Sequence, residues 1–313
     1  MGEKKKSKST WLLALAKSTK ILKAVKILKS LKFFKMFIML FSMVASVFFY
    51  SFRFGWKFAT GFVLLIFVHE MGHIIAMRMK KMNASLPMFI PMLGAVIFAP
   101  KMGTREDEAF VGIGGPVLGS IGALAVFGAH FFTNAPVSDF LLTLSFFGVA
   151  INLFNMIPIR PLDGGRITQV VGEWFRWVGG ILLLALTLFA KDPSLLLIWI
   201  IVIQDFTWKN LWHKFNIGVA LQLLMFTLML RDYGGINFPR WQIIVDMVLA
   251  TLLNFGSYLS ASKVVEETTE DRHVLPVATA PTRFKWFAYY LLVVGGLTWI
   301  MYYQSSLLRN IVK

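Results

Sequence analysis

Long apolar segments recur along nearly the whole chain, and they limit what it can fold into. Hydrophobic residues make up 57% of the 313 residues and charged residues only 15%, whereas soluble domains are nearer a quarter charged. Several windows approach the ~20 apolar residues that cross a bilayer. The candidate segments lie at about 37–53, 58–78, 109–132, 139–158, 177–190, 194–207, 217–230, 241–260 and 286–303. The sequence therefore predicts an all-α polytopic membrane protein.

The N-terminal region is strongly basic. Lysines occur at every third position from Lys17 to Lys35, and the net charge of the chain is +16. This pattern predicts a basic helix within residues 1–36 that lies on an anionic, cytoplasmic membrane face. No nucleic-acid partner is expected, because nothing else in the chain supports one. The positive-inside rule predicts that the N-terminus lies in the cytoplasm. If the protein is bacterial, the predicted location is the plasma membrane.

The apolar run VLLIFVHEMGHIIAM, residues 63–77, contains two histidines and a glutamate. His69 and His73 are four residues apart, so on a helix both imidazoles project from one face and can bind one zinc ion. Glu70 lies beside the first histidine, where it can act as a general base. Ionisable groups are costly inside a membrane helix unless they are used or paired. The alternative is a polar cluster with a purely structural role.

A catalytic zinc ion needs three protein ligands, so one more must come from elsewhere. The chain has no cysteine, which leaves His, Asp, Glu or backbone oxygen. Asp163 is the best candidate, because it lies in NMIPIRPLDGGRI, residues 155–167, where prolines and paired glycines break an apolar segment. Asn155, at the start of this stretch, can donate from its amide to an oxyanion or to substrate backbone.

Two further stretches carry local signals. Residues 85–100, SLPMFIPMLGAVIFAP, contain three prolines and a glycine, which favours a re-entrant hairpin with an edge strand over a spanning helix. An interfacial loop is the alternative. In GGPVLG, residues 114–119, Gly115 and Gly119 form a GxxxG pair that predicts close helix packing.

HEMGH (69–73) followed by NMIPIRPLDGG (155–165) resembles the paired motifs of the site-2 protease family of intramembrane zinc metalloproteases. GGPVLG resembles the Gly-Pro motif on the helix between them. The resemblance covers residues 58–170 and implies a three-helix core at about 58–78, 109–132 and 139–158. It also implies one zinc ion per chain, held by His69, His73 and Asp163, with Glu70 as catalytic base and Asn155 assisting at the oxyanion. Arg160 departs from the family pattern, in which many members have a small or apolar residue there.

These observations predict a chain in four parts. A basic surface helix (1–36) and a first transmembrane segment (37–57) precede the metalloprotease core (58–170), which includes the re-entrant hairpin. Additional transmembrane helices (171–313) follow, with a polar loop at about 262–284.

The predicted function is an intramembrane zinc endopeptidase, which cleaves a transmembrane or membrane-associated protein by metal-activated attack of water. A non-proteolytic metal-binding scaffold or a zinc transporter is the alternative. The expected partners are a membrane protein substrate and, through the lysine-rich N-terminus, the anionic bilayer surface.

Overall fold

The computed structural model describes residues 31–91, 94–97, 102–190, 195–205, 211–230, 243–254 and 278–312. Their helices, in chain order, are α1 (Leu31–Phe54), α2 (Trp56–Met79), α3 (Arg105–His130), α4 (Val137–Asn155), α5 (Gly164–Val171), α6 (Glu173–Ala190), α7 (Leu196–Asp205), α8 (Leu211–Leu230), α9 (Ile243–Asn254) and α10 (Ala280–Val312). Two short strands, β1 (Met88–Ile90) and β2 (Gly94–Val96), lie between α2 and α3.

Six of the described helices are long and apolar enough to cross a membrane. They correspond to α1, α2, α3, α4, α6 and α10. The protein is therefore an all-α polytopic membrane protein, as the sequence predicts. The segments predicted at 194–207, 217–230 and 241–260 coincide with α7, α8 and α9, which are not among these six. Residues 1–30, which hold most of the predicted basic helix, lie outside the described part of the chain.

Three helices form the centre of the fold, with α2 packed against α3 and α3 packed against α4. These are the three helices predicted for the core. Close approach of α2 and α3 depends on Gly72, because a Cβ there would contact the carbonyl oxygen of Gly114 and lie 2.9 Å from the Cα of Gly115. Small residues let helix backbones meet in this way within membranes.

The predicted hairpin is present between α2 and α3. Strands β1 and β2 pair antiparallel, with Met88 opposite Val96 and Ile90 opposite Gly94. The side chain of Phe89 is buried against Val63 and Ile66 of α2, and its backbone N–H donates to Ser42 Oγ of α1 at 3.0 Å. These contacts hold β1 against the helices.

The C-terminal helix α10 returns to the core. Trp286 and Tyr290 pack into one apolar cluster with Met156 and with Ile167 of α5. Further along α10, Gln304 Nε2 donates to Ser145 Oγ of α4 at 2.7 Å, and both residues are fully buried. The helix starts at Ala280, inside the polar loop predicted at 262–284, so that loop ends earlier than expected. Residues 262–277 of the loop lie outside the described residues.

Candidate metal centre

Helix α2 and the start of α5 bring three predicted metal ligands together. His69 and His73 lie on one face of α2, and both are buried. Asp163, which directly precedes α5, places its Oδ2 atom 3.0 Å from His69 Nε2 and 3.1 Å from His73 Nε2. The two Nε2 atoms lie 3.2 Å apart. Residues 94 positions apart in the chain thus meet at one point.

The other nitrogen of each imidazole has a partner that fixes the ring. His69 Nδ1 donates to Asn152 Oδ1 at 2.8 Å, and His73 Nδ1 donates to the backbone carbonyl of Val111 at 2.7 Å. Because an amide or backbone oxygen only accepts, both protons lie on Nδ1. Each Nε2 therefore directs a lone pair toward Asp163, an orientation typical of zinc-binding histidines.

The donor set fits a zinc ion. Two lone pairs and a carboxylate oxygen converge within 3.2 Å of one another, and a shared cation stabilises such a group of acceptors. Ligand atoms at ordinary zinc distances around a tetrahedral ion lie about 3.3 Å apart, close to the separations found here. His69, His73 and Asp163 would hold the ion and leave a fourth position open.

Asn152 contacts the candidate metal centre, and the sequence predictions did not include it. Its side chain is fully enclosed, and its Nδ2 donates to the carbonyl of Gly148 at 2.7 Å, which orients its oxygen toward His69. Gly119 makes room for it, since a Cβ at Gly119 would contact Asn152 Oδ1. One signal was available: Asn152 is a polar residue in an apolar helix, three positions before Asn155. Nothing in the sequence indicated that the Val111 carbonyl would accept a hydrogen bond from His73.

The GxxxG pair thus has a role in addition to the predicted helix packing, in which Gly115 lies against Gly72 of α2. Gly115 faces the two imidazoles, because a Cβ there would contact His73 Nε2 and lie 2.8 Å from His69 Nε2. Gly119 faces Asn152. Close packing of α3 onto α2 involves the neighbouring Gly114, which lies against Gly72 and Ala76. The small residues of α3 thus provide space for the polar cluster as well as for helix contact.

The loop that carries Asp163 contacts four other helices. Tyr290 of α10 donates its hydroxyl to the Met156 carbonyl at 2.7 Å, and this contact is buried. Arg160 Nη2 lies 2.7 Å from Glu108 Oε2 of α3. The loop side chains Ile159 and Leu162 pack against α6 and α7 in one apolar cluster. Arg160, the departure from the family pattern, thus joins the ligand loop to the first turn of α3.

A cavity of about 320 Å³ opens beside the metal ligands. Glu70 and Asn155 both line it, as do Ala95 and Val96 of β2 and Arg166 of α5. Asn155 Nδ2 donates to the Ile151 carbonyl of its own helix at 3.1 Å. The structure thus brings all five predicted site residues to one cavity, and one of its walls is the hairpin strand.

Comparison with known proteins gives distant similarity to metalloproteases. The chain is 31% identical over 115 residues to zinc metalloprotease MJ0392 of Methanocaldococcus jannaschii, a match that covers 35% of this chain and 33% of that protein. It is 24% identical over 238 residues to the probable zinc metalloprotease EGY1, chloroplastic, of Arabidopsis thaliana, which covers 55% of this chain and 42% of that protein. The chain thus spans less than half the length of these curated relatives. No protein-family model and no solved structure matches it.

Replacing Asn152 with alanine should weaken zinc binding without unfolding the protein. The His69 ring would lose the partner that holds its tautomer, and loss of such a partner typically lowers metal affinity about 10–100-fold. Zinc affinity can be measured by competition with a chromophoric chelator. Asn155→Ala is the matched comparison, because Asn155 lines the cavity but its amide donates to the Ile151 carbonyl and not to a histidine. Equal zinc affinity in the two variants would contradict the role given to Asn152.

Proposed function

We propose that this protein is an intramembrane zinc endopeptidase of the site-2 protease type, which cleaves a transmembrane or membrane-associated protein. The convergence of His69, His73 and Asp163 beside Glu70, in a cavity against a membrane-crossing helix, is the observation that carries this proposal. The two relatives named zinc metalloproteases support the metal and the reaction class.

We assign proton transfer to Glu70, which lines the cavity beside the candidate ligands. A zinc ion held by His69, His73 and Asp163 would supply Lewis acidity for a peptide carbonyl and for the attacking water. No hydrogen bond or ion pair holds the Glu70 carboxylate among the residues described, so it can accept a proton from the attacking water. It then returns that proton to the leaving amine, the usual double role of such a base. Asn155 is placed to donate to the carbonyl oxygen as that oxygen gains negative charge.

The hairpin offers a way to present the peptide bond. A peptide bond inside a helix is shielded by its own hydrogen bonds, so a transmembrane substrate must first unwind locally. Ala95 and Val96 of β2 line the same cavity as Glu70. An extended substrate segment that pairs with β2 would place its backbone along the cavity, which is the β-augmentation mode of peptide recognition.

A zinc transporter or scaffold is the competing function. A transporter needs several groups of metal ligands along a path through the membrane. Within the described residues, His69, His73 and Asp163 are the one group of three or more histidine or acidic side chains that could hold a metal ion. A single centre with an unpaired carboxylate beside it favours an enzyme.

Replacing Glu70 with glutamine should remove cleavage while zinc stays bound. The amide cannot take a proton from water, and loss of a general base lowers rates about 10²–10⁴-fold. The measurement compares the membrane proteomes of cells that contain wild-type or Glu70→Gln protein, with zinc content determined on both purified proteins. Proteins that are shortened only in the wild-type cells are the substrates.

Glu173→Gln is the matched control, because Glu173 lies in the exposed first turn of α6 and pairs with Arg176 there. It should cleave like the wild type. Identical membrane proteomes in wild-type and Glu70→Gln cells would contradict a proteolytic function. Normal cleavage by the Glu70→Gln protein in a purified assay would do the same.

A further inference from the structure

Arg166 is a charged residue in the cavity to which neither the sequence nor the proposed reaction assigns a role. It lies in the first turn of α5, three residues after Asp163, and its side chain is about one-third exposed. It lines the cavity together with His69, Glu70 and Asp163. Its positive charge is therefore beside the point where a substrate carbonyl would react.

The neighbouring cations are paired closely, whereas Arg166 is not. Lys80 lies 2.7 Å from Asp107, and Arg160 lies 2.7 Å from Glu108. Arg105 donates to the Gln169 carbonyl at 3.1 Å. In the described part of the chain, the one ion pair of Arg166 is with Asp163 Oδ1, which is 4.0 Å from its Nε atom. That distance is too long for a hydrogen bond.

The stem of Arg166 packs closely on α3. It passes over Gly112 of α3, where a Cβ would lie 2.9 Å from Arg166 Cβ and 3.2 Å from Arg166 Cδ. The residue at 112 must therefore be glycine for the stem to lie there. Arg166 lines the cavity, and no close carboxylate among the described residues occupies the N–H donors of its guanidinium. Such donors suit an anion that exists only during the reaction.

We propose that Arg166 is a catalytic residue that donates hydrogen bonds to the substrate carbonyl oxygen as it becomes negatively charged. This inference rests on the proposed peptidase function. When water adds to the scissile carbonyl, the carbonyl π electrons move onto its oxygen, and Arg166 stabilises that charge. When the C–N bond breaks, the electrons return to the carbonyl and the proton held by Glu70 passes to the amine.

The charge on Arg166 makes it a stronger donor than Asn155. Hydrogen bonds from an ionised donor are roughly twice as strong as neutral ones. One N–H of Asn155 is already directed to Ile151. We therefore assign the larger share of oxyanion stabilisation to Arg166, with Asn155 as a second donor.

The test compares Arg166→Gln with wild-type protein, reconstituted in liposomes with a cleavable transmembrane substrate. Removal of one oxyanion donor lowers kcat about 10²–10³-fold, and we expect that loss with KM and zinc affinity unchanged. Affinity for a phosphinic peptide, whose tetrahedral anion resembles the reacting centre, should fall by a similar factor. Arg166→Lys keeps the charge and should recover part of both losses.

Arg78→Gln is the control, since Arg78 lies on the exposed end of α2 outside the cavity. Equal losses of zinc affinity and kcat in Arg166→Gln would assign the residue a structural role and overturn the proposal. So would an unchanged affinity for the phosphinic peptide, which calorimetry measures without any turnover. Failure of the peptidase function itself has a separate signature, in which the wild-type protein does not cleave the substrate.

Discussion

Gly115→Ala should leave the protein folded but unable to hold zinc. The added methyl group would contact His73 Nε2 and lie 2.8 Å from His69 Nε2, so it would occupy the space in which both rings must meet the ion. Zinc ligand distances tolerate deviations of only about 0.2 Å, and displaced rings cannot meet that requirement. We expect less than a tenth of the wild-type zinc content by elemental analysis, and no detectable cleavage.

Gly128→Ala separates this effect from the general consequence of adding a methyl group to α3. Gly128 lies in the same helix, but a Cβ there meets nothing within 4 Å. Because alanine favours helix over glycine by about 0.5–1 kcal/mol, this control should be at least as stable as wild type and keep its zinc. One zinc per chain in purified Gly115→Ala protein would contradict the geometry of the centre.

Asp163→Ala should also abolish zinc binding, for a chemical rather than a steric reason. The substitution removes the carboxylate that lies 3.0 and 3.1 Å from the two histidine nitrogens. It leaves two neutral ligands for a divalent cation in a buried site. Loss of an outer partner costs about 10–100-fold in metal affinity, and loss of a ligand should exceed that. Chelator competition on the purified protein measures the change.

Asp139→Ala is the matched control, because Asp139 lies in the first turn of α4 and is not among the residues that line the cavity. Its zinc affinity should equal that of the wild type. If Asp163→Ala bound zinc normally yet failed to cleave, Asp163 would have a role other than coordination. The third ligand would then have to come from another residue.

The sequence could predict the parts of the fold in which a polar, proline or glycine residue interrupts an apolar segment. His69 and His73 stand out because ionisable groups are costly in an apolar helix, and Asp163 because prolines and glycines interrupt the helix beside it. The hairpin at 85–100 could be predicted because its prolines exclude a spanning helix. All of these signals are local in the sequence.

The features that were missed depend on contacts between distant segments. Tyr290 has no local signal that it reaches Met156, 134 positions earlier in the chain. Val111 contributes a backbone carbonyl, which every residue has. In the sequence, a glycine that makes space for a side chain looks the same as one that brings two helices together. The GxxxG pattern therefore predicted helix packing but not the polar side chains that Gly115 and Gly119 accommodate. Arg160 and Arg166 could be told apart only once their different acceptor distances were known.

The hydrogen bond from Tyr290 to the Met156 carbonyl also has a consequence for biogenesis. The ribosome makes the two histidines first, then the loop that contains Asp163, and the partner of Met156 more than a hundred residues later. Until α10 is inserted, the carbonyl at the start of the ligand loop lacks this buried donor. The order of synthesis therefore leaves this support of the Asp163 loop unmade until α10, the last of the described helices, is in the membrane.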